Sequence, residues 1–217
     1  MKEIYRTLAE QLKKPHGDLA MQVAEKLNEV NETINLLSIE ALDPAPGDNI
    51  LEVGMANGFF VKEIFKRQPD IHYTGCDYSV KMVYEANRIN KEFIDAGKAA
   101  CVMAEASSLP FEDSTFTKVM SVATLYYFDD PERVLNEFHR VLKENGLLII
   151  SIRPKAIMEL YGTAEFTGKM FTREELSDCL VANGFHIMAI SEHREPEIKV
   201  LDERYPSSCL IAVARRN

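Results

Sequence analysis

Apolar residues in the first 43 positions recur at helical spacing. Ile4, Leu8 and Leu12 stand four apart, and Ala20, Val23, Ala24, Leu27, Val30, Ile34, Leu37 and Ala41 form a second stripe, with Pro15 and Gly17 between the two. This pattern predicts two amphipathic helices. The run Asp43-Pro44-Ala45-Pro46-Gly47-Asp48 cannot continue a helix, so a boundary is expected there, with an N-terminal helical extension over residues 1–43 and the main domain over 44–217. From position 49 short apolar runs alternate with amphipathic stretches. Runs at 50–53, 72–77, 99–104, 118–122 and 147–152 read as strands, with helices near 59–67, 79–95 and 131–143 between them. Asp130 and Pro131 open the last of these helices and Asn145-Gly146 is expected to close it. Thr172 and Glu175 form a capping box for a helix ending at Asn183-Gly184, and strands at 185–191 and 209–214 follow. The charged segment between those strands carries Pro196 and Pro206 and is expected to be a surface loop. This order builds an α/β fold: a mostly parallel sheet with an antiparallel last strand and helices on both faces.

Composition narrows the partners. The 217 residues carry 25 Lys and Arg against 34 Asp and Glu, a net charge of -9, which argues against a nucleic-acid surface and for a small-molecule ligand. The four cysteines, Cys76, Cys101, Cys179 and Cys209, show no Cys-x-x-Cys spacing and are expected as buried thiols in a reducing cytoplasm. No apolar run approaches the roughly 20 residues of a membrane span, and the N-terminus alternates charged with apolar residues, so neither a membrane span nor a signal peptide is expected.

The stretch at 50–60, ILEVGMANGFF, is an apolar strand containing Glu52, then Gly54, Ala56 and Gly58 at alternate positions, then an apolar helix. Small residues at such a turn let the backbone pass close under a ligand, at the end of a strand where open α/β sheets bind nucleotide-like molecules. Asp77 ends the second strand, where a carboxylate accepts both hydroxyls of a ribose or, alternatively, caps the following helix. Glu105 after the third strand suits an exocyclic amine, and Ala106 leaves room for a flat ring. Tyr126 and Tyr127 follow the fourth strand and serve either pocket or core.

Together these residues resemble the class I S-adenosylmethionine-dependent methyltransferases over residues 49–215. The resemblance implies a Rossmann-like sheet and S-adenosylmethionine as cofactor. It places Glu52, Gly54, Ala56 and Gly58 around the methionine portion, Asp77 on the ribose and Tyr78 and Met82 beside the adenine. Glu105 and Ala106 fall at the amine end, with Ser121 and Val122 where the fourth strand ends. Ala56 departs from the family's middle glycine. Residues 130–151 resemble the branch that includes the ubiquinone and menaquinone biosynthesis methyltransferases. Lys14-Pro15-His16-Gly17 is similar to a Lys/Arg-Pro-x-Gly segment in a bacterial subgroup, which implies that residues 1–43 partly cover the site; the alternative is a simple helical hairpin packed on the sheet.

Methyl transfer needs alignment and dryness and no protein nucleophile, because the sulfonium already activates the methyl group. The histidines are dispersed and no metal-ligand spacing occurs, so no metal is expected. His16, Tyr126 and Tyr127 are the candidates for a general base. The insert at 153–171 reads as a lid or an ordinary connection, and Arg153 as an anchor for an anion or the partner of a surface acid. Two other functions compete: a nicotinamide oxidoreductase, opposed by Phe59 at the place of the fingerprint's third glycine, and a catalytically idle cofactor-binding module.

Overall fold

A computed structural model describes residues 2–161, 164–200 and 203–217. Gly162 and Thr163 of the insert, and Leu201 and Asp202 of the segment expected as a loop, lie outside the described residues. The N-terminal region holds α1 (Lys2–Lys13), a 3-10 turn (Gly17–Leu19), α2 (Ala20–Val30) and α3 (Glu32–Leu42). Then come β1 (Asn49–Val53), α4 (Val61–Arg67), β2 (His72–Asp77), α5 (Val80–Ile89), α6 (Lys91–Asp95), β3 (Ala99–Met103) and β4 (Phe116–Val122). A 3-10 turn (Leu125–Tyr127), α7 (Pro131–Val141), β5 (Leu142–Ile152), α8 (Lys155–Leu160), a 3-10 turn (Ala164–Phe166), α9 (Arg173–Ala182), β6 (Phe185–Val200) and β7 (Glu203–Arg216) complete it.

The strands form a seven-stranded sheet in the order β3-β2-β1-β4-β5-β7-β6. β1 to β5 pair in parallel and β7 runs antiparallel to both β5 and β6. Because the first five strands point the same way, Val53, Asp77, Met103, Val122 and Ile152 all end at one edge of the sheet. The chain leaves β1 toward β2 but returns with β4 on the other side, and the crevice opens at that reversal. Ile50, Leu51, Val119, Leu148 and Ile149 are fully buried in the core, and α3 adds Ile34, Ile39 and Leu42 to it.

Four expectations are corrected by the structure. The segment between the last two strands is extended: β6 and β7 pair from Phe185↔Arg216 to Val200↔Glu203. Its prolines are compatible with pairing, because Pro196 sits at a register shift between Glu195 and Ile198 and β6 is an edge strand. Pro206 lies beyond Leu210↔Ile152, where β7 has outrun β5 and needs no donor on that side. Second, the helix expected at 79–95 breaks at Asn90, whose buried amide donates to the carbonyls of Gly58 and Ala86 at 3.0 Å each. Third, α7 ends at Val141, because buried Leu142 is already extended and pairs with Phe116. Asn145, at φ 61, falls inside β5. Fourth, the second N-terminal helix divides at Asn31, for a reason that lies in the site.

The turn into β1 is held from beneath by Lys118 on the central strand β4. Its ammonium stands 2.9 Å from Asp48 and donates to the carbonyls of Leu42, at 3.0 Å, and Asp43. Burial pushes the Asp48 carboxyl up, but the Ala45 N–H, Lys118 and Thr117 together outweigh it and hold it below its ordinary 3.8. Lys118→Met is expected to cost about 3 kcal/mol in urea denaturation near neutrality, because it strands a buried carboxylate. A carboxylate with a lowered native pKa stabilises above its unfolded value, so the gap between variant and parent should close as pH falls through the native Asp48 pKa, below 3.8.

Candidate functional site

A cavity of about 910 Å³ lies outside the carboxyl ends of the parallel strands. Of the residues expected at the site, Glu52, Gly54, Ala56, Asp77, Tyr78, Glu105, Ala106, Val122, Tyr126 and Tyr127 line it. Gly58, Met82, Ser121 and His16 are not among its lining.

The loop after β1 owes its shape to three residues with positive φ: Gly54 at 81°, Ala56 at 50° and Gly58 at 66°. Ala56 adopts the left-handed region without a glycine's freedom, at a cost on the order of 1 kcal/mol. Its N–H donates to Asp77 Oδ2 at 3.1 Å, which ties the loop to the end of β2. The other oxygen, Oδ1, accepts from the N–H of Ser79 at 2.8 Å, so the carboxylate both braces the start of α5 and faces the cavity. Burial raises the Asp77 pKa, opposed by the N–H groups of Ser79 and Ala56 and by the charge of Lys14. Gly54 has no room for a side chain, because a Cβ there would lie 2.5 Å from the Thr124 methyl. Thr124 is also a cavity residue that sequence reasoning missed.

The residues outside the lining support this loop. Gly58 packs on Ala86 and gives its carbonyl to Asn90. The Ser121 hydroxyl donates to the Val53 carbonyl at 2.9 Å and also contacts the Thr124 hydroxyl. Met82 is fully buried against Ala20 and Ala24 of α2, which seats the N-terminal helices on α5. Glu52 is buried and accepts a 2.6 Å hydrogen bond from the Tyr73 phenol. Burial drives its pKa up, the Tyr73 bond opposes this and the charge of Asp77 adds to it, leaving it at about 7.

Residues 13–17 are latched to the segment after Asp77. Tyr78 donates its phenol to the Lys13 carbonyl at 2.7 Å, Ser79 its hydroxyl to the Pro15 carbonyl at 2.7 Å, and Lys81 its ammonium to the Gly17 carbonyl. The Lys14 ammonium lies 4.5 Å from the centre of the Tyr78 ring. Leu8, Leu12, Val23 and Leu27 of the first two helices turn toward the cavity. Within the break Pro15 lines the cavity, whereas His16 is exposed outside it, its Nδ1 2.8 Å from the Lys14 carbonyl.

At the far end, Arg153 is 4% exposed and Glu195 forms an ion pair with it at 2.9 Å. This is a buried acid, not the surface partner or the substrate anion considered from the sequence. The guanidinium also donates to Asn31 Oδ1 at 2.8 Å, to the Val30 carbonyl at 3.0 Å and to Ser207 at 3.2 Å. Breaking the helix at Asn31 frees that carbonyl for Arg153, which accounts for the division of α2 from α3. Tyr126 and Tyr127 meet edge to face at 4.8 Å. Burial pushes Tyr126 up to about 12, against the charge of Arg153, and burial raises Tyr127 as well. Neither phenol ionises near neutrality, so neither is a ready general base. Tyr161, Met158 and Ile198 complete this end; Ile198 was hidden in the sequence inside the supposed loop. Among the described residues, no group of His, Cys, Asp and Glu is placed to hold a metal ion, and no helix is long and apolar enough to cross a membrane.

Known proteins resemble this chain in sequence and fold. Residues 51–150 match the methyltransferase-domain family. The methyltransferase YdaC of Bacillus subtilis, itself uncharacterised, is 29% identical over 172 residues, covering 78% of this chain and 90% of that protein. A demethylmenaquinone methyltransferase of Thermotoga maritima is 29% identical over 126 residues, 58% of this chain and 50% of that protein, so the likeness to the quinone branch is loose. The solved structure of geranyl diphosphate methyltransferase in complex with SAM shares the fold, with a TM-score of 0.72 at 14% identity over 94% of this chain and 92% of that one.

Two outcomes test the geometry. Gly54→Ala should lower stability by about 2 kcal/mol in urea denaturation, from left-handed backbone strain and the clash with Thr124. Adding Thr124→Ser, which removes the offending methyl, should recover part of that loss. Glu52 holds its proton more tightly in the native state than the ordinary 4.5, so its contribution to stability is present below pH 4.5 and lost as pH rises to about 7. Denaturation curves between these pH values should show the parent losing more stability than Glu52→Gln.

Proposed function

We propose that the chain is a class I S-adenosylmethionine-dependent methyltransferase that methylates a small-molecule acceptor beneath a cover made by residues 1–43 and uses S-adenosylmethionine as its cofactor. Residues 44–217 form the cofactor-binding domain in this reading. Asp77 carries it: one carboxylate, at the end of β2, braces the glycine loop through Ala56 and faces the cavity. Each of its oxygens accepts one backbone N–H and retains a lone pair for a ribose hydroxyl.

The residues present fit the cofactor. The loop at Gly54 and Ala56 would offer close backbone approach to the methionine portion, Tyr78 and Ala106 would hold the adenine, and Glu105 would accept from its amine. Glu52 and Val122 complete the wall, while Gly58, Met82 and Ser121 hold the shape of the loop. When bound, the cofactor supplies an activated methyl group on sulfur. The chain supplies orientation and exclusion of water, and the latch at residues 13–17 favours a closed cover. Tyr126 and Tyr127 act as hydrogen-bond donors and contact surfaces in this scheme, and exposed His16 takes no part. Four free, buried cysteines agree with a reducing cytoplasm. The nicotinamide oxidoreductase and the idle module find no support in the relatives, and the Phe59 ring, packed edge to face on Phe60, stands where the nicotinamide fingerprint needs glycine.

Calorimetry with S-adenosylmethionine and S-adenosylhomocysteine is expected to show binding without added metal. Asp77→Asn should weaken both about tenfold or more, since a charge-assisted hydrogen bond contributes roughly 1.5 to 3 kcal/mol. An unchanged affinity in the folded variant would restrict Asp77 to bracing Ala56 and Ser79.

A further inference from the structure

The end of the cavity away from Asp77 has a definite polar pattern, and its meaning rests on the reading that the acceptor lies there. Four of the five N–H groups of its cation are engaged. Arg153 gives N–H groups to Glu195, Val30, Asn31 and Ser207, and the second oxygen of Glu195 accepts from the Ser207 hydroxyl at 2.8 Å. The pair is neutral and has no donor fork left for an anion. Two of the other cations along the cavity are paired, Lys13 with Asp129 at 2.6 Å and Lys26 with Glu29 at 2.7 Å, whereas Arg133 gives one N–H to the Ser107 carbonyl at 3.0 Å and so lies at the opposite end, beside Glu105 and Ala106. Lys199 has a partner of its own. Asp129 and Asp130 add negative charge at the mouth.

What remains is uncharged and oriented. Asn31 must turn its oxygen to Arg153, which has only donors, and this leaves its amide N–H groups on the other side. Asn35 donates to the Asn31 carbonyl at 2.8 Å, so its own oxygen faces away from that bond. Tyr126 lines the same cavity as Arg153, and its phenol, kept neutral by burial, is a hydrogen-bond donor there. All three residues line the cavity, among Leu27, Phe128, Met158 and Ile198.

We propose that the acceptor is an uncharged, largely apolar molecule with a phenolic or carbonyl oxygen that accepts a hydrogen bond from Tyr126, and that carboxylates and phosphates are rejected. An anion would enter a site where burying its charge finds no counterion.

Three probes of one shape test this: 2-acetylnaphthalene, 2-ethylnaphthalene and 2-naphthoate, titrated by calorimetry into the full chain saturated with S-adenosylhomocysteine. The ketone should bind at least about tenfold more tightly than the carboxylate. Tyr126→Phe should weaken the ketone about three- to tenfold, as one hydrogen bond warrants, and leave ethylnaphthalene within about twofold. Unaltered S-adenosylhomocysteine binding in that variant shows that the cofactor end is intact. Naphthoate binding as tightly as the ketone, a ketone affinity indifferent to Tyr126→Phe, or binding of none of the probes overturns the proposal while the cofactor reading stands. Failure of S-adenosylhomocysteine to bind the parent chain overturns both.

Discussion

A guanidinium in a protein interior is tolerated only where its charge is paired and its donors are met. Arg153 leaves the end of β5 in that position, and its partners come from three separate parts of the chain: the α2–α3 junction, β6 and β7. Meeting its requirements breaks the N-terminal helix at Asn31, holds Glu195 in a buried place on an edge strand, and brings Ser207 alongside. The same clasp closes the far end of the cavity. A chain that lost this pairing would lose the register between its N-terminal helices and the hairpin, and with it the wall at that end of the cavity.

Asp77 plays the corresponding part at the cofactor end. Its two oxygens are divided between the glycine loop and the start of α5, and the residues immediately after it hold the N-terminal region through Lys13, Pro15 and Gly17. Loop, carboxylate and N-terminal region are thereby mechanically joined within a few residues. A ligand that hydrogen-bonds Asp77 acts on a group whose position already depends on both loops.

The two ends differ in chemistry. Near Asp77 the cavity is acidic, with Glu52 and Glu105 beside it, and it presents backbone from a tight loop. Near Arg153 the polar groups are neutral in sum and the walls are aliphatic and aromatic. This division suits a charged cofactor held by fixed polar groups at one end and an apolar acceptor at the other, with little water between them.

The glycine loop, Asp77, Glu105 and the alternation of strands with helices were legible in the sequence, because each depends on local chemistry: small residues at positive φ, an acid at a strand end, apolar periodicity. The helix starts at Pro131 and Thr172 were legible for the same reason. Segments decided by distant partners were not. HREPEIKV reads as a loop until β7 lies beside it and makes its prolines harmless at a register shift and beyond the end of β5. Asn31 and Asn90 look like ordinary helix positions until Arg153 and Gly58 draw on the groups around them. Met82 and Ser121 match a motif, yet packing turns them toward α2 and the loop backbone instead of the cavity. Sequence by itself determined the sheet, the loop and the acid at its edge, through interactions between near neighbours. Tertiary structure alone decided which polar groups face the far end of the cavity, because a buried charge takes its partners from wherever the fold can deliver them.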